Sequence, residues 1–246
     1  MTEFLDGPHG RLAYCRAEGQ GPGVVFLGGF RSDMQGTKAL WLEEWARTHG
    51  QAFLRFDYSG HGASDGAFED GCIGDWLADA RAILSLTTGP QVLVGSSMGG
   101  WISLLLARAL PERVAGLVTI AAAPDFTERG FWPEFTPALR EELLREGQIL
   151  RPSEYGDPYV ITRRLIEDGR NHQVLAEPLE LPFPTRFLQG TADEDVPVHW
   201  ATDLLAHATG ADMRLLLVKG ADHRFSTPEC LDLIGNSVQE VLARAR

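Results

Sequence analysis

The sequence around Ser97 has the spacing Gly-x-Ser-x-Gly, with Gly95 and Gly99 two residues away on either side. An apolar run at 91–95 (QVLVG) precedes the serine and an apolar helical segment follows it. A strand, a sharp turn and a helix are the context in which this pentapeptide forms a nucleophile elbow. The pattern therefore predicts a Ser97 hydroxyl that is aimed out of a sheet edge and can attack a carbonyl carbon.

A serine hydroxyl needs a base to act as a nucleophile. In a chain with this elbow, the order along the sequence is serine, acid, histidine. His223 lies just after the last strand-like run, at 213–218 (MRLLLV), where a base is expected. The other histidines after Ser97 lie in helix-like or inserted segments, namely His172, His199 and His207.

The acid is expected after the preceding strand-like run, at 185–190 (TRFLQG). Three carboxylates follow it, in Asp193, Glu194 and Asp195. Asp193 comes first off the strand and is our choice for the residue that orients His223 and stabilises its imidazolium. Asp195 has an alternative role as an anion at a helix N-terminus.

Two backbone donors are needed to hold the negative charge of a tetrahedral intermediate. The N–H of Met98 directly follows the serine. The second donor is expected in the loop after the run at 23–28 (GVVFLG), where Gly29 lets the backbone come close and the Phe30 N–H is the candidate.

The elements that must position these residues alternate along the chain. Buried-type strand runs fall at 23–28, 52–56, 91–95, 114–121, 185–190 and 213–218, and helical periodicity falls at 36–49, 73–86, 98–109, 198–208 and 228–245. Strands that alternate with helices predict crossover connections and a mostly parallel sheet flanked by helices. The alternating run at 11–17 predicts an antiparallel edge strand, and 246 residues fit one domain, 1–246.

One region, 125–184, breaks this rhythm. It has no convincing buried strand, two amphipathic stretches at 137–146 and 158–168, and many aromatic residues. We expect it to be a helical cap inserted over the active site. Phe131 and Trp132 are candidate substrate-binding residues. Together with Phe135, they either line an acyl tunnel or belong to the core that docks the cap.

Arg31 is a further candidate substrate-binding residue, as a partner for a substrate carboxylate. Surface placement is the alternative for Arg31, as it is for Arg163 and Arg164, because arginine is mostly exposed.

The glycine-punctuated segment 57–66 (DYSGHGASDG) lacks the ending of a nucleotide-binding P-loop. Its His61 is expected to brace the loop rather than to act chemically. In the helical segment that follows, Asp75, Asp79 and Arg81 are expected to form a solvated helix face.

Charge and cysteine content exclude several classes of function. The formal net charge is −12, from 22 basic and 34 acidic residues, which argues against nucleic acid as a partner. The three cysteines have no metal-ligand spacing, so we expect no metal, no cofactor and no disulfide framework. No membrane span or signal peptide is apparent, and a cytoplasmic location is expected.

Five segments in order resemble the α/β-hydrolase family: GGF near 28, DYSGHGASDG at 57–66, GSSMGG at 95, GTADEDVP at 190 and DH at 222. The segments FLGGFRSDMQGTKA, FLRFDYSGHGASDG, QVLVGSSMGGW and GTADEDVPVHW look like those of its palmitoyl-protein thioesterases. This resemblance implies an α/β-hydrolase fold, a catalytic triad of Ser97, Asp193 and His223, and hydrolysis of a fatty-acyl thioester or a related activated ester.

The expected function is therefore that of a serine hydrolase acting through an acyl-enzyme, either as an acyl-protein thioesterase or as a carboxylesterase. The expected partners are a small ester or acyl-thioester substrate and an acylated protein. Two alternatives remain open. Hydrolases of this fold also cleave activated carbon–carbon bonds with the same triad, and others are non-catalytic binding proteins.

Overall fold

The computed structural model describes residues 1–151 and 158–245. Within these residues, eight strands form one sheet in the order β1-β2-β4-β3-β5-β6-β9-β10, and β7 and β8 form a separate antiparallel pair. The strands are β1 (Glu3–Gly7), β2 (Gly10–Ala17), β3 (Gln20–Leu27), β4 (Gln51–Phe56), β5 (Gln91–Ser96), β6 (Val114–Ile120), β7 (Gln148–Arg151), β8 (Tyr159–Thr162), β9 (Thr185–Gly190) and β10 (Met213–Val218).

Helices cover both faces of the sheet. They are α1 (Thr37–Thr48), α2 (Ile73–Leu84), α3 (Met98–Ala109), α4 (Trp132–Glu134), α5 (Pro137–Glu146), α6 (Arg163–Arg170), α7 (Val198–His207) and α8 (Pro228–Arg244). One core packs α2, α3 and the inserted region on one face of the sheet, and a second core packs α1 and α8 on the other. The central strands β5, β6 and β9 are buried along their whole length, which explains why each has apolar residues at successive positions.

The α/β class and the mostly parallel sheet predicted from the sequence are confirmed. From β4 to β10, neighbouring strands of the sheet run parallel. Their carboxyl ends therefore meet at one edge, and the loops that follow β3, β4, β5, β9 and β10 are brought together there. These loops carry every residue of the predicted catalytic constellation.

Two local predictions were wrong. The run at 11–17 is not the edge of the sheet, because β1 pairs with β2 on its outer side. Asp79, which looked like part of a solvated helix face, is fully buried and accepts the N–H and hydroxyl of Ser59 at 2.8 and 2.6 Å. The prediction failed because this carboxylate points inward to bind a loop, which the polar and apolar pattern of a helix does not reveal.

The region 125–184 also differs from its prediction. The amphipathic stretch at 137–146 is helix α5, but the stretch at 158–168 divides into strand β8 and helix α6. Thr162 caps α6 by accepting the N–H of Leu165 at 3.1 Å, which ends the strand and starts the helix. Part of the predicted region, residues 152–157, lies outside the described residues. Among the described residues, no helix is both long and apolar enough to cross a membrane.

Candidate active site

Ser97 sits in the turn between β5 and α3 with a strained backbone. Its φ of 54° and ψ of −116° are a conformation that L-residues rarely adopt, at a cost of about 1–3 kcal/mol. The turn is held by backbone bonds, in which Ser97 donates its N–H to Ile120 at 2.9 Å and its carbonyl accepts from Ala123 at 3.1 Å. The hydroxyl is thereby fixed at the carboxyl end of the sheet.

The two glycines of the pentapeptide are required by space. A Cβ on Gly95 would lie 2.3 Å from the carbonyl oxygen of Gly99, and a Cβ on Gly99 would lie 2.1 Å from that of Leu27. Both positions face backbone, which cannot move aside as a side chain can. The spacing read from the sequence is thus the spacing that lets β5, α3 and the end of β3 approach one another.

His223 lies in the loop after β10 and faces both of its predicted partners. Its Nε2 is 3.1 Å from the Ser97 Oγ, and its Nδ1 is 2.9 Å from Oδ2 of Asp193. The carboxylate accepts, so Nδ1 carries a proton and Nε2 is left to accept the serine proton. The three side chains form one hydrogen-bonded row.

The side chain of Asp193 is completely buried but well supplied with donors. Its Oδ1 accepts the N–H groups of Asp195 and Val196 at 3.0 and 2.8 Å, and its Oδ2 accepts the Gln189 amide at 2.9 Å. Asp195 lies outside the first turn of α7, so the helix-anion role considered for it is wrong. Asp193 is the carboxylate that the structure places on His223.

Gln189 and Lys38 support this row and were missed from the sequence. Gln189 is fully buried in β9, and its amide donates both to Asp193 and to the Val196 carbonyl. Lys38 of α1 donates to the carbonyl of Arg224, next to His223, at 2.5 Å. Burial lowers the pKa of Lys38 to about 8. A glutamine inside a buried strand run was the one available signal, since Lys38 resembles any helical lysine.

The loop after β3, residues 28–34, runs alongside the serine. A Cβ placed on Gly29 would lie 3.4 Å from the Cβ of Ser97, so the backbone just before Phe30 lies against the serine. Met98 begins α3, and the first N–H groups of a helix have no acceptor within it. The predicted oxyanion donors thus follow two residues that lie close together, since Met98 follows Ser97 and Phe30 follows Gly29.

Phe30 is the centre of an aromatic cluster that contains one of the predicted substrate-binding side chains, Phe131. The Phe30 ring meets those of Phe68, Phe126, Phe131 and Tyr159 edge to face, with centroids 4.8 to 6.0 Å apart. Phe131 is half-buried in this cluster.

The other predicted substrate contacts are mixed. Trp132 lies between the guanidinium groups of Arg140 and Arg170, 4.9 and 4.6 Å from its ring, which is a structural contact of the inserted region. Phe135 is buried and belongs to the core. Arg31 is exposed and lies 5.2 Å from the centre of the Phe68 ring, so its backbone adjoins the site while its side chain points across the rings.

One group of side chains has the compactness of a metal site. Ligand atoms of Asp193, Asp195 and His223 lie within 4.8 Å of one another. The Asp193 oxygens are already occupied by three N–H donors besides His223. The bonds from His223 and from the Asp195 N–H to Asp193 account for the closeness of these three residues.

Similar proteins have the same fold. The profile of a family described as alpha/beta hydrolase fold matches residues 24–167. The Bos taurus protein named palmitoyl-protein thioesterase ABHD10, mitochondrial, is 36% identical over 97% of this chain and 79% of its own length. The human protein of the same name is 35% identical over the same shares. Both names specify mitochondria, so the cytoplasmic location expected from the sequence is wrong by this finding.

Solved structures of similar proteins have the same fold as this chain. A putative hydrolase from Agrobacterium vitis superposes with a TM-score of 0.94 and is 40% identical over 98% of each chain. Alpha/beta hydrolase domain-containing protein 10 from mouse superposes with a TM-score of 0.92 and is 33% identical over the whole of both chains.

Proposed function

This chain belongs to the α/β-hydrolase family, and we propose that it is a serine hydrolase that cleaves acyl thioesters and oxygen esters through an acyl-enzyme on Ser97. The observation that carries the proposal is the row Ser97–His223–Asp193, with distances of 3.1 and 2.9 Å. The thioesterases among the relatives support a fatty-acyl thioester, including an acylated protein, as the substrate class.

The first half of the reaction forms the acyl-enzyme. Ser97 Oγ attacks the carbonyl carbon while its proton passes to Nε2 of His223. The N–H groups of Phe30 and Met98 stabilise the oxyanion, and each such donor is worth roughly 2.7–4 kcal/mol of barrier. As the tetrahedral intermediate collapses, the bond to the leaving group breaks, and the thiolate or alkoxide takes the proton from His223.

The second half releases the acid. His223 removes a proton from water, the resulting hydroxide attacks the acyl carbon, and the bond to Ser97 breaks as Oγ recovers its proton. Asp193 stays ionised throughout and holds the imidazole in the tautomer that both halves need. In this proposal residues 1–246 act as one domain, with 125–184 covering the acyl group.

The test compares two adjacent serines. Ser96 precedes the nucleophile and is buried in β5, so Ser96→Ala is a matched control for Ser97→Ala. Both variants and the wild type are assayed on acyl thioesters and p-nitrophenyl esters of increasing chain length. We expect Ser97→Ala to lower kcat by about 10⁵–10⁶-fold and Ser96→Ala to change it by less than about threefold, because its hydroxyl is not in the hydrogen-bonded row. Equal activity of wild type and Ser97→Ala would refute the proposal.

A further inference from the structure

His61, in the loop after β4, makes contacts that the reaction proposed above does not use. Only 3% of the residue is exposed, and its ring packs against those of Tyr58, Phe68 and Trp76. Its Nδ1 lies 3.1 Å from the Ser59 carbonyl oxygen, and its Nε2 lies 3.3 Å from the backbone nitrogen of Arg31. A buried imidazole thus joins two loops through their backbones.

These two partners fix the tautomer of the ring. A carbonyl oxygen can only accept and a backbone N–H can only donate, so Nδ1 carries the proton and Nε2 accepts from Arg31. Burial lowers the pKa of His61 to about 4, so the ring is neutral at neutral pH. Nε2 therefore accepts a hydrogen bond from the backbone and is not available as a base.

The N–H that His61 binds lies directly beyond the proposed oxyanion donor. Arg31 follows Phe30 and has a φ of 53°, a conformation that needs support from its surroundings. The preceding peptide is held separately, because Ser32 donates to the carbonyl of Gly29 at 3.1 Å. In a trans peptide the C=O and N–H point in opposite directions, so this bond sets the direction of the Phe30 N–H. His61 fixes the next peptide plane.

The glycines around His61 allow the loop to reach this position. Gly62 has a φ of 49°, and a Cβ there would lie 2.2 Å from an Asp57 carboxylate oxygen. The other Asp57 oxygen accepts the Met34 N–H at 2.6 Å. The loop after β4 therefore binds residues 28–34 through two hydrogen bonds, from the backbone N–H groups of Arg31 and Met34.

We propose that His61 is a positioning residue that holds the oxyanion donor Phe30 in place by accepting the Arg31 N–H. This inference rests on the proposed function, because it concerns the oxyanion of that reaction. It predicts a loss that appears in the transition state rather than in substrate binding.

Two amide substitutions separate the two bonds of His61. The oxygen of His61→Gln can reach the position of Nε2 and accept from Arg31, whereas the shorter His61→Asn reaches only as far as Nδ1 and can serve Ser59 alone. We expect His61→Asn to lower kcat by about 10–100-fold with KM within about threefold, and His61→Gln to stay within about fivefold of wild type. The affinity of a trifluoromethyl ketone, which forms an oxyanion on the serine, should fall with kcat.

A matched control and a second measurement make the result decisive. The control is His49→Asn. His49 binds the Trp45 carbonyl and lies just before β4, at the opposite end of that strand from His61, so this variant should leave kcat unchanged. Equal losses in His61→Gln and His61→Asn, or unchanged inhibitor affinity in His61→Asn, would overturn the proposal. In the wild type, ¹⁵N NMR should show the His61 proton on Nδ1, and a proton on Nε2 would overturn it without any variant. If Ser97→Ala kept the activity of the wild type, that result would refute the proposed function itself.

Discussion

The loops at the carboxyl edge of the sheet and the inserted region 125–184 are built in different ways. At the sheet edge, Ser97 and the donors to Asp193 are fixed by backbone groups, with strain at Ser97 held by the strands around it. In the inserted region, ring–ring and arginine–ring contacts predominate around Phe131 and Trp132. The first design fixes atoms for chemistry. The second is held together by contacts between side chains and, under the proposed function, would meet the acyl chain.

The fixed geometry of the sheet edge is tested most directly at Asp193. Asp193→Asn keeps the shape of the side chain but favours the wrong tautomer of His223, so kcat should fall by about 10⁴-fold. Asp195→Asn changes the neighbouring carboxylate and should cost less than about tenfold, because Asp193 supplies the oxygens that lie 2.9 and 3.1 Å from Nδ1 of His223. Steady-state kinetics on one thioester decide between them. A larger loss in Asp195→Asn would contradict the assignment of the acid.

Two phenylalanines of the inserted region should respond in opposite ways. Phe135 is buried, so Phe135→Ala should lower the free energy of unfolding by about 3–5 kcal/mol. Phe131 is half-buried beside Phe30, so Phe131→Ala should mainly reduce kcat/KM on long-chain thioesters, by about tenfold, because apolar contact with the acyl chain is lost. Urea denaturation and a chain-length series measure the two effects. Loss of chain-length preference in Phe135→Ala alone would reverse the roles.

His61 gives the sheet-edge loops a distinct dependence on pH. Its pKa is about 4 in the folded chain and near 6.5 when unfolded, so protonation favours unfolding as the pH falls below 6.5. Between pH 7.5 and pH 5 the wild type should lose about 2 kcal/mol of stability through this group, and His61→Gln should not. Denaturant titrations of both proteins at the two pH values give the difference, in which other titrating groups cancel. A difference that is independent of pH would show that His61 is not buried in its neutral form.

His172, in the inserted region, should show the opposite dependence on pH. Its hydrogen bond to Asp168 raises its pKa, so its stabilising effect is complete below pH 6.5 and is lost as the pH rises through the raised pKa. The stability difference between wild type and His172→Asn should therefore shrink between pH 6 and pH 9. Thermal unfolding across this range tests it, and a difference that grows with pH would contradict the pairing.

The sequence was sufficient for the sheet and its carboxyl edge because each signal there reflects a local constraint. Gly95 and Gly99 are required by backbone contacts within a few ångströms, and the buried strands are continuous apolar runs. Lys38 and the buried Asp79 could not be predicted, since each is a polar side chain whose partner is distant in the sequence. Gln189 binds the nearby Asp193, and its place inside a buried strand run was the one signal of its role. The division of 158–168 into strand and helix was missed for a related reason, because β8 depends on pairing with β7.

The most direct test of the account is to find the covalent intermediate. The wild type, Ser96→Ala and Ser97→Ala are treated with a fluorophosphonate, and intact mass and peptide mapping locate the adduct. The account predicts one phosphonyl group on Ser97 in the wild type and in Ser96→Ala, and none in Ser97→Ala. An adduct on another residue, or no adduct on the folded wild type, would contradict it.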